Sequence, residues 1–125
     1  MTTVRPRILF VEDSIFVLMT LETMCEDLGW EMVGPATRVD QGMALAGSEQ
    51  FDAALLDVDL AGEMSWGIAA VLQKRGIPFA FGTGHDITSI LPDELAGSPI
   101  FSKPFRIDEV ERQLRQLLAQ GPTPG

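Results

Sequence analysis

Five short apolar runs recur along this chain of 125 residues, each too brief for a helix core, and most are broken off by polar groups. They are Arg7 to Val11 (RILFV), Trp30 to Pro35 (WEMVGP), Phe51 to Asp57 (FDAALLD), Ile77 to Phe81 (IPFAF), and Ile100 with Phe101. Runs of this length and composition predict strands, and the nearly continuous FDAALLD suits a strand covered on both faces. The intervening stretches keep a helical period. Ser14 is a plausible N-cap, and after Ile15 the positions Leu18, Leu21, Cys25 and Leu28 form one apolar stripe that stops at Gly29. Helices are likewise predicted over 39–46, over 64–75 up to Gly76, and over 107–119 with Ile107, Val110, Leu114 and Leu117 inward. Pro92 interrupts the segment before Ile100, so a helix at 87–95 should be short or broken. The count is five strands alternating with five helices.

That alternation implies βαβ units, which close right-handed and build a parallel sheet with helices on both faces. In such sheets ligands collect at the carboxyl ends of the strands. Glu12 and Asp13 follow the first strand, Asp57 ends the third, Thr83 follows the fourth and Lys103 the fifth, so all five are expected at one edge. Each alone is an ordinary polar residue at a strand end; together they make a constellation.

Three acids in one pocket repel one another, and a divalent cation is the simplest relief. A donor set of oxygens, without paired cysteine or histidine, points to Mg²⁺, with Mn²⁺ the alternative, over zinc. An aspartate can be phosphorylated, and phosphoryl transfer mostly needs positioning and charge neutralisation. The reading is Asp57 as phospho-acceptor and metal ligand, Asp13 as direct metal ligand, Glu12 as ligand through water, and Lys103 and Thr83 on phosphoryl oxygens.

Composition narrows the partners. A net charge of −9 argues against nucleic acid. Cys25 is the only cysteine, which excludes an intramolecular disulfide and a thiolate-rich zinc site. No apolar run approaches the ~20 residues of a membrane span, and MTTVRPRILFVED lacks a secretory signal, so a cytoplasmic protein with no membrane association is expected. The expected organisation is one domain over 1–120, a flexible Pro/Gly tail over 121–125, and no output domain.

The acidic pair, the aspartate of the third strand, the threonine after the fourth and the Lys-Pro step at 103–104 together resemble a response-regulator receiver domain, over Arg7 to Gln120. IPFAFGTG, 77–84, is further similar to the single-domain receivers with a Pro-Phe-x-Phe-Ala-Thr-Gly signature, the FATGUY group. The resemblance implies an α/β, flavodoxin-like (βα)5 three-layer sandwich, with a five-stranded parallel sheet in the order 2-1-3-4-5. It also implies Mg²⁺-dependent phosphoryl transfer to Asp57 from a histidine kinase, of the HWE or a related type, or from a phosphotransfer protein. Output would pass to a downstream protein through the surface of 87–95, 100–101 and 107–119 or through the first helix, or the protein would act as a phosphate sink. A monomer or a phosphorylation-dependent dimer is expected, and no enzyme beyond self-phosphorylation and slow autodephosphorylation.

Three features depart from the family. Ile100 stands where receivers commonly carry a switch aromatic, Gly82 where the subgroup has alanine, and His85 and Asp86 replace its glycine and aromatic types. Asp59 is expected to offer a backbone carbonyl to the metal, and its side chain and His85 to modulate hydrolysis by flanking the path of water. Two rival readings differ in class. DVD at 57–59 also resembles the nucleophile and acid pair of haloacid-dehalogenase-type phosphatases, though that family opens with the motif. The other rival is a phosphorylation-independent interaction module.

Overall fold

The computed structural model describes residues 5–120, so the tail expected at 121–125 lies outside the described residues. Strands β1 (Arg7–Val11), β2 (Glu31–Ala36), β3 (Ala53–Asp57), β4 (Phe79–Thr83) and β5 (Ile100–Ser102) form one parallel sheet in the order β2-β1-β3-β4-β5. The flavodoxin-like order 2-1-3-4-5 is thus the observed one. All five residues of β3 and of β4 are buried, as their unbroken apolar runs require.

Helices α1 (Ile15–Leu28), α2 (Val39–Ser48), α3 (Trp66–Arg75) and α4 (Ile107–Gln120) cover the two faces. Strand parity sorts the core between them. Ile8, Phe10, Leu55 and Ala80 point to one side, where they meet Leu21, Met24 and Cys25 of α1 and Val110, Leu114 and Leu117 of α4. Leu9, Val11, Leu56 and Phe81 point to the other and meet Ala46 of α2 with Ile68 and Leu72 of α3. Each fully buried leucine contributes about 1.5–3 kcal/mol relative to exposure. Ser14 caps α1 through its hydroxyl, which accepts from Val17 N at 3.4 Å, and Gly29 ends it at φ 72°.

The expected fifth α-helix does not form. Within 87–95 a single turn closes as Ile90 N and Leu91 N both donate to Ile87 O, at 3.0 and 2.8 Å. Pro92 then supplies no amide and disfavours the α conformation at Leu91, and only a short 3₁₀ turn, Asp93–Leu95, follows. Several boundaries also move by one or two residues, among them the start of β3, at Ala53 rather than Phe51. α3 starts at Trp66 rather than Met64, because Glu63–Met64 pairs antiparallel with Asp59–Leu60 in a hairpin turning at Ala61 (φ 52°) and Gly62 (φ 90°). β4 starts at Phe79 rather than Ile77, because Ile77 N donates to Leu72 O at 2.9 Å and so belongs to the end of α3.

Sheet register carries this fold to the site. Val11 lies beside Leu56, Asp57 beside Gly82 and Thr83 beside Ser102, so the strands end at one level.

Candidate functional site

Glu12 continues β1 by one step, its N–H donating to Ala36 O at 2.9 Å. The chain then turns into α1, and the amides of Asp13 and Ser14 donate back to Glu12 Oε2 at 2.9 and 3.3 Å. That turn folds the Glu12 carboxylate inward, leaving it 3% exposed. Lys103 continues β5, its N–H donating to Thr83 O at 2.9 Å. Its Nζ reaches across the sheet edge to Glu12 Oε1 at 2.8 Å and to Asp57 Oδ2 at 3.2 Å. Asp57, the last residue of β3, is 8% exposed. Carboxylate oxygens of Glu12, Asp13 and Asp57 all lie within 4.8 Å of one another.

One ammonium does not balance this charge. Burial, together with the neighbouring Glu12 carboxylate, pushes the Asp57 carboxyl up to about 7 against the opposing pull of Lys103. Burial also raises Glu12, but its contacts with the Asp57 carboxyl and Lys103, and the Lys103 charge, outweigh that and leave it below its ordinary value. Lys103 is held above the ordinary lysine range, because the attraction of both acids exceeds the cost of burial. The two carboxyls therefore titrate as a pair, and deprotonating both leaves excess negative charge in a poorly solvated place.

The donors fit a hard divalent cation. Glu12 Oε1 is buried and accepts no hydrogen bond, since Lys103 approaches it closely but bonds in good geometry to Oε2. Oxygens closer than 4.8 Å can be bridged by an ion with ligand distances near ~2.1 Å, directly or through water. A cation at this point relieves the repulsion that raises Asp57.

Thr83 is 6% exposed, and its Oγ1 accepts from His85 N at 3.1 Å. Its hydroxyl shares the edge by register and makes no hydrogen bond to the Asp57 or Lys103 side chain among the described residues. The His85 side chain is exposed and makes no hydrogen bond or ion pair among the described residues. Asp59 is exposed too, and its Oδ1 accepts from Gly62 N at 2.9 Å, closing the hairpin. Glu12, Asp13, Asp57 and Lys103 therefore come together, whereas the side chains of Asp59 and His85 remain outside the contacts of that cluster.

Two features escaped the sequence reading. The hairpin had a usable signal, since Ala-Gly at 61–62 between DL and EM supplies the positive φ values of a tight turn. The second had none: a Cβ placed on Gly82 would lie 2.5 Å from the ring tip of Phe105, which packs beside Lys103.

No family model matches the chain. The "Sensory transduction protein LytR" of Staphylococcus haemolyticus (strain JCSC1435) is 24% identical over 115 residues, which is 90% of this chain and 45% of that protein. The chain thus spans less than half the length of this curated relative. Among solved structures, SdrG from Sphingomonas melonis Fr1 is similar at 36% identity and TM-score 0.78, covering 94% of this chain and 99% of that one. A CheY-like response regulator receiver domain protein from Methanospirillum hungatei JF-1 superposes at TM-score 0.82, with 21% identity over 94% of this chain and 96% of that one. The receiver domain of sensor histidine kinase PA1611 from Pseudomonas aeruginosa PAO1, whose structure has a magnesium ion in its active site cleft, gives TM-score 0.75 at 22% identity over 93% of this chain and 99% of that one.

Proposed function

The chain belongs to the response-regulator receiver domains, and on that premise we propose that residues 1–120 are a phosphoryl-accepting signalling unit with Asp57 as the acceptor. One observation carries this reading: the Asp57 carboxylate ends β3 beside two further acids, with Lys103 Nζ 3.2 Å from its Oδ2.

Asp57 Oδ attacks the phosphorus of a phosphohistidine on a partner kinase or phosphotransfer protein. A P–O bond forms, the P–N bond breaks, and the leaving imidazole keeps the electron pair and takes a proton. Lys103 pairs with a phosphoryl oxygen, and Thr83 turns its hydroxyl to another. Glu12, Asp13, Asp57 and the Asp59 carbonyl would hold Mg²⁺, which supplies charge neutralisation for the incoming phosphoryl group. Hydrolysis reverses the bond to Asp57, as water attacks phosphorus and releases inorganic phosphate and the carboxylate. Asp59 and His85, exposed on the two loops next to the site, set the access of that water and hence the lifetime of the phosphorylated state.

Within the receivers we place the chain in the FATGUY subgroup, on the strength of IPFAFGTG at 77–84. Output passes to a protein partner or ends in draining a kinase of phosphate. Exposed Ile15, Phe16 and Met19 on α1, and Ile90 and Ile100 at the other end of the edge, offer apolar contact surface for such partners. Among the described residues no helix is long and apolar enough to cross a membrane, and a cytoplasmic partner kinase domain suits the proposal.

The test is a radiolabelled phosphotransfer profile against the histidine kinases of the host. Transfer from at least one kinase, abolished by Asp57→Ala or by chelating divalent metal, is expected. No label from any kinase would sink the proposal.

A further inference from the structure

Phe105 occupies a place that only glycine at position 82 permits. A Cβ on Gly82 would come within 2.5 Å of Phe105 Cζ and 2.9 Å of its Cε1, closer than carbon atoms approach. The same ring lies 5.6 Å from Lys103 Nζ and meets Phe101 edge-on at 6.0 Å. It is therefore held by Phe101 on one side and Gly82 below, and it flanks the ammonium that contacts Glu12 and Asp57. On its remaining side the ring borders an apolar cavity of about 200 Å³, between α1 and the loop after β5, with Phe16, Val17 and Thr20 in its wall.

A lysine side chain has four rotatable bonds, and the two acids fix only its tip. Nothing in an ion pair with carboxylates determines from which side the ammonium approaches. A ring 5.6 Å from the ammonium does, because it occupies space that Nζ would otherwise enter and attracts the charge from that side. We propose that Phe105, seated in the space left by Gly82, is a positioning residue that keeps the Lys103 ammonium over the Asp57 carboxylate. This deepens the phosphoacceptor reading and rests on it. It also gives a physical meaning to glycine at 82: a methyl there displaces the ring, and the neighbouring cavity receives it.

Fluoroberyllate serves as the phosphoryl stand-in, since it engages the groups on Asp57, Lys103 and Thr83, whereas magnesium alone engages the acids. Phe105→Leu keeps apolar bulk and removes the ring; Gly82→Ala displaces the ring. Both variants are expected to bind fluoroberyllate about five- to tenfold more weakly in saturating Mg²⁺, with Mg²⁺ affinity within about twofold of the wild-type chain. Unchanged fluoroberyllate affinity in both overturns the proposal, and so does an equal fall in Mg²⁺ affinity, which would mark a general loss of structure. The second measurement needs no phosphoryl chemistry. In the magnesium-free protein the Lys103 side-chain protons should show a ring-current displacement by NMR that is lost in Phe105→Leu; absence of that displacement in the wild-type chain overturns the proposal. A wild-type chain that shows the displacement yet binds no fluoroberyllate counts against the phosphoacceptor reading instead, leaving the Phe105 contact standing.

Discussion

The two ends of the sheet's carboxyl edge are built differently. At the β1 and β3 end, Glu12 and Asp57 are 3% and 8% exposed, and both are tied to Lys103 by ion pairs. Beyond β4, residues 84–98 hold only separate turns, closed at Ile87–Leu91, in the 3₁₀ turn Asp93–Leu95 and at Leu95–Ser98, and Ile90 and Ile100 are 51% and 39% exposed. Chemistry needs groups held within fractions of an ångström, and burial with mutual ion pairing supplies that. A surface that answers to the chemistry needs alternatives of similar energy, which short turns supply more readily than a long helix. The contrast teaches that this chain concentrates burial and ion pairing at the candidate site, while the segment after β4 is built of single turns anchored by buried Ile87 and Leu95.

The largest expected effect lies at the tight end. Lys103→Met removes the only ammonium on the acid cluster among the described residues and should slow phosphorylation by about 10²–10³-fold, in line with loss of one electrostatic stabiliser. A small-molecule phosphodonor assay measures this without a kinase. A loss below tenfold would show that the cluster does not use Lys103 as described.

Next is the pH dependence of stability. The folded-state Asp57 pKa of about 7 lies above its ordinary 3.8, so the native state binds the proton more tightly than the unfolded chain. Stability from this group is full below pH 4 and is lost as pH rises through 7. The ideal loss is at most about 4 kcal/mol, and water access at the mouth of the site brings the expectation to about 2 kcal/mol. Thermal melts without divalent metal should therefore show Asp57→Asn gaining stability over the wild-type chain between pH 5 and 8, and Mg²⁺ narrowing that gap. A constant difference across that range would contradict the charge account.

The loosely built end should respond weakly. Ile90→Ser and Ile100→Ser are expected to leave small-donor phosphorylation within about twofold, since neither side chain reaches the cluster and exposed substitutions shift stability by about 0.5 kcal/mol or less. A larger rate effect in either would break the division between the two ends. Smallest is Pro92→Ala, which restores an amide after the turn at 87–91 and should add a trace of helical circular dichroism with less than about 1 kcal/mol of stability. No gain in helicity would mean that something other than proline ends that turn.

Legibility in the sequence follows the same division. RILFV and FDAALLD are legible as strands because buried parallel strands are continuously apolar, and their polar ends place Glu12, Asp13 and Asp57 at one edge. Lys103 and Thr83 joined them through topology alone. The hairpin at 59–64 was invisible to periodicity, since two-residue strands have no period, and it moved the start of α3. A fifth helix was overcounted because the apolar spacing of Ile87, Ile90 and Leu91 is helical for one turn and Pro92 forbids the next. Sequence could flag Gly82 as unusual but could not pair it with Phe105, because that contact depends on how the chain after β5 returns across β4.

The central claim concerns one carboxylate, and borohydride trapping tests it most directly. After magnesium-dependent phosphorylation, reduction of the acyl phosphate and peptide mass spectrometry, the account predicts homoserine at position 57 and at no other acidic position. Homoserine at Glu12's neighbour Asp13 or at Asp59, or an unmodified Asp57 in a labelled protein, would contradict it.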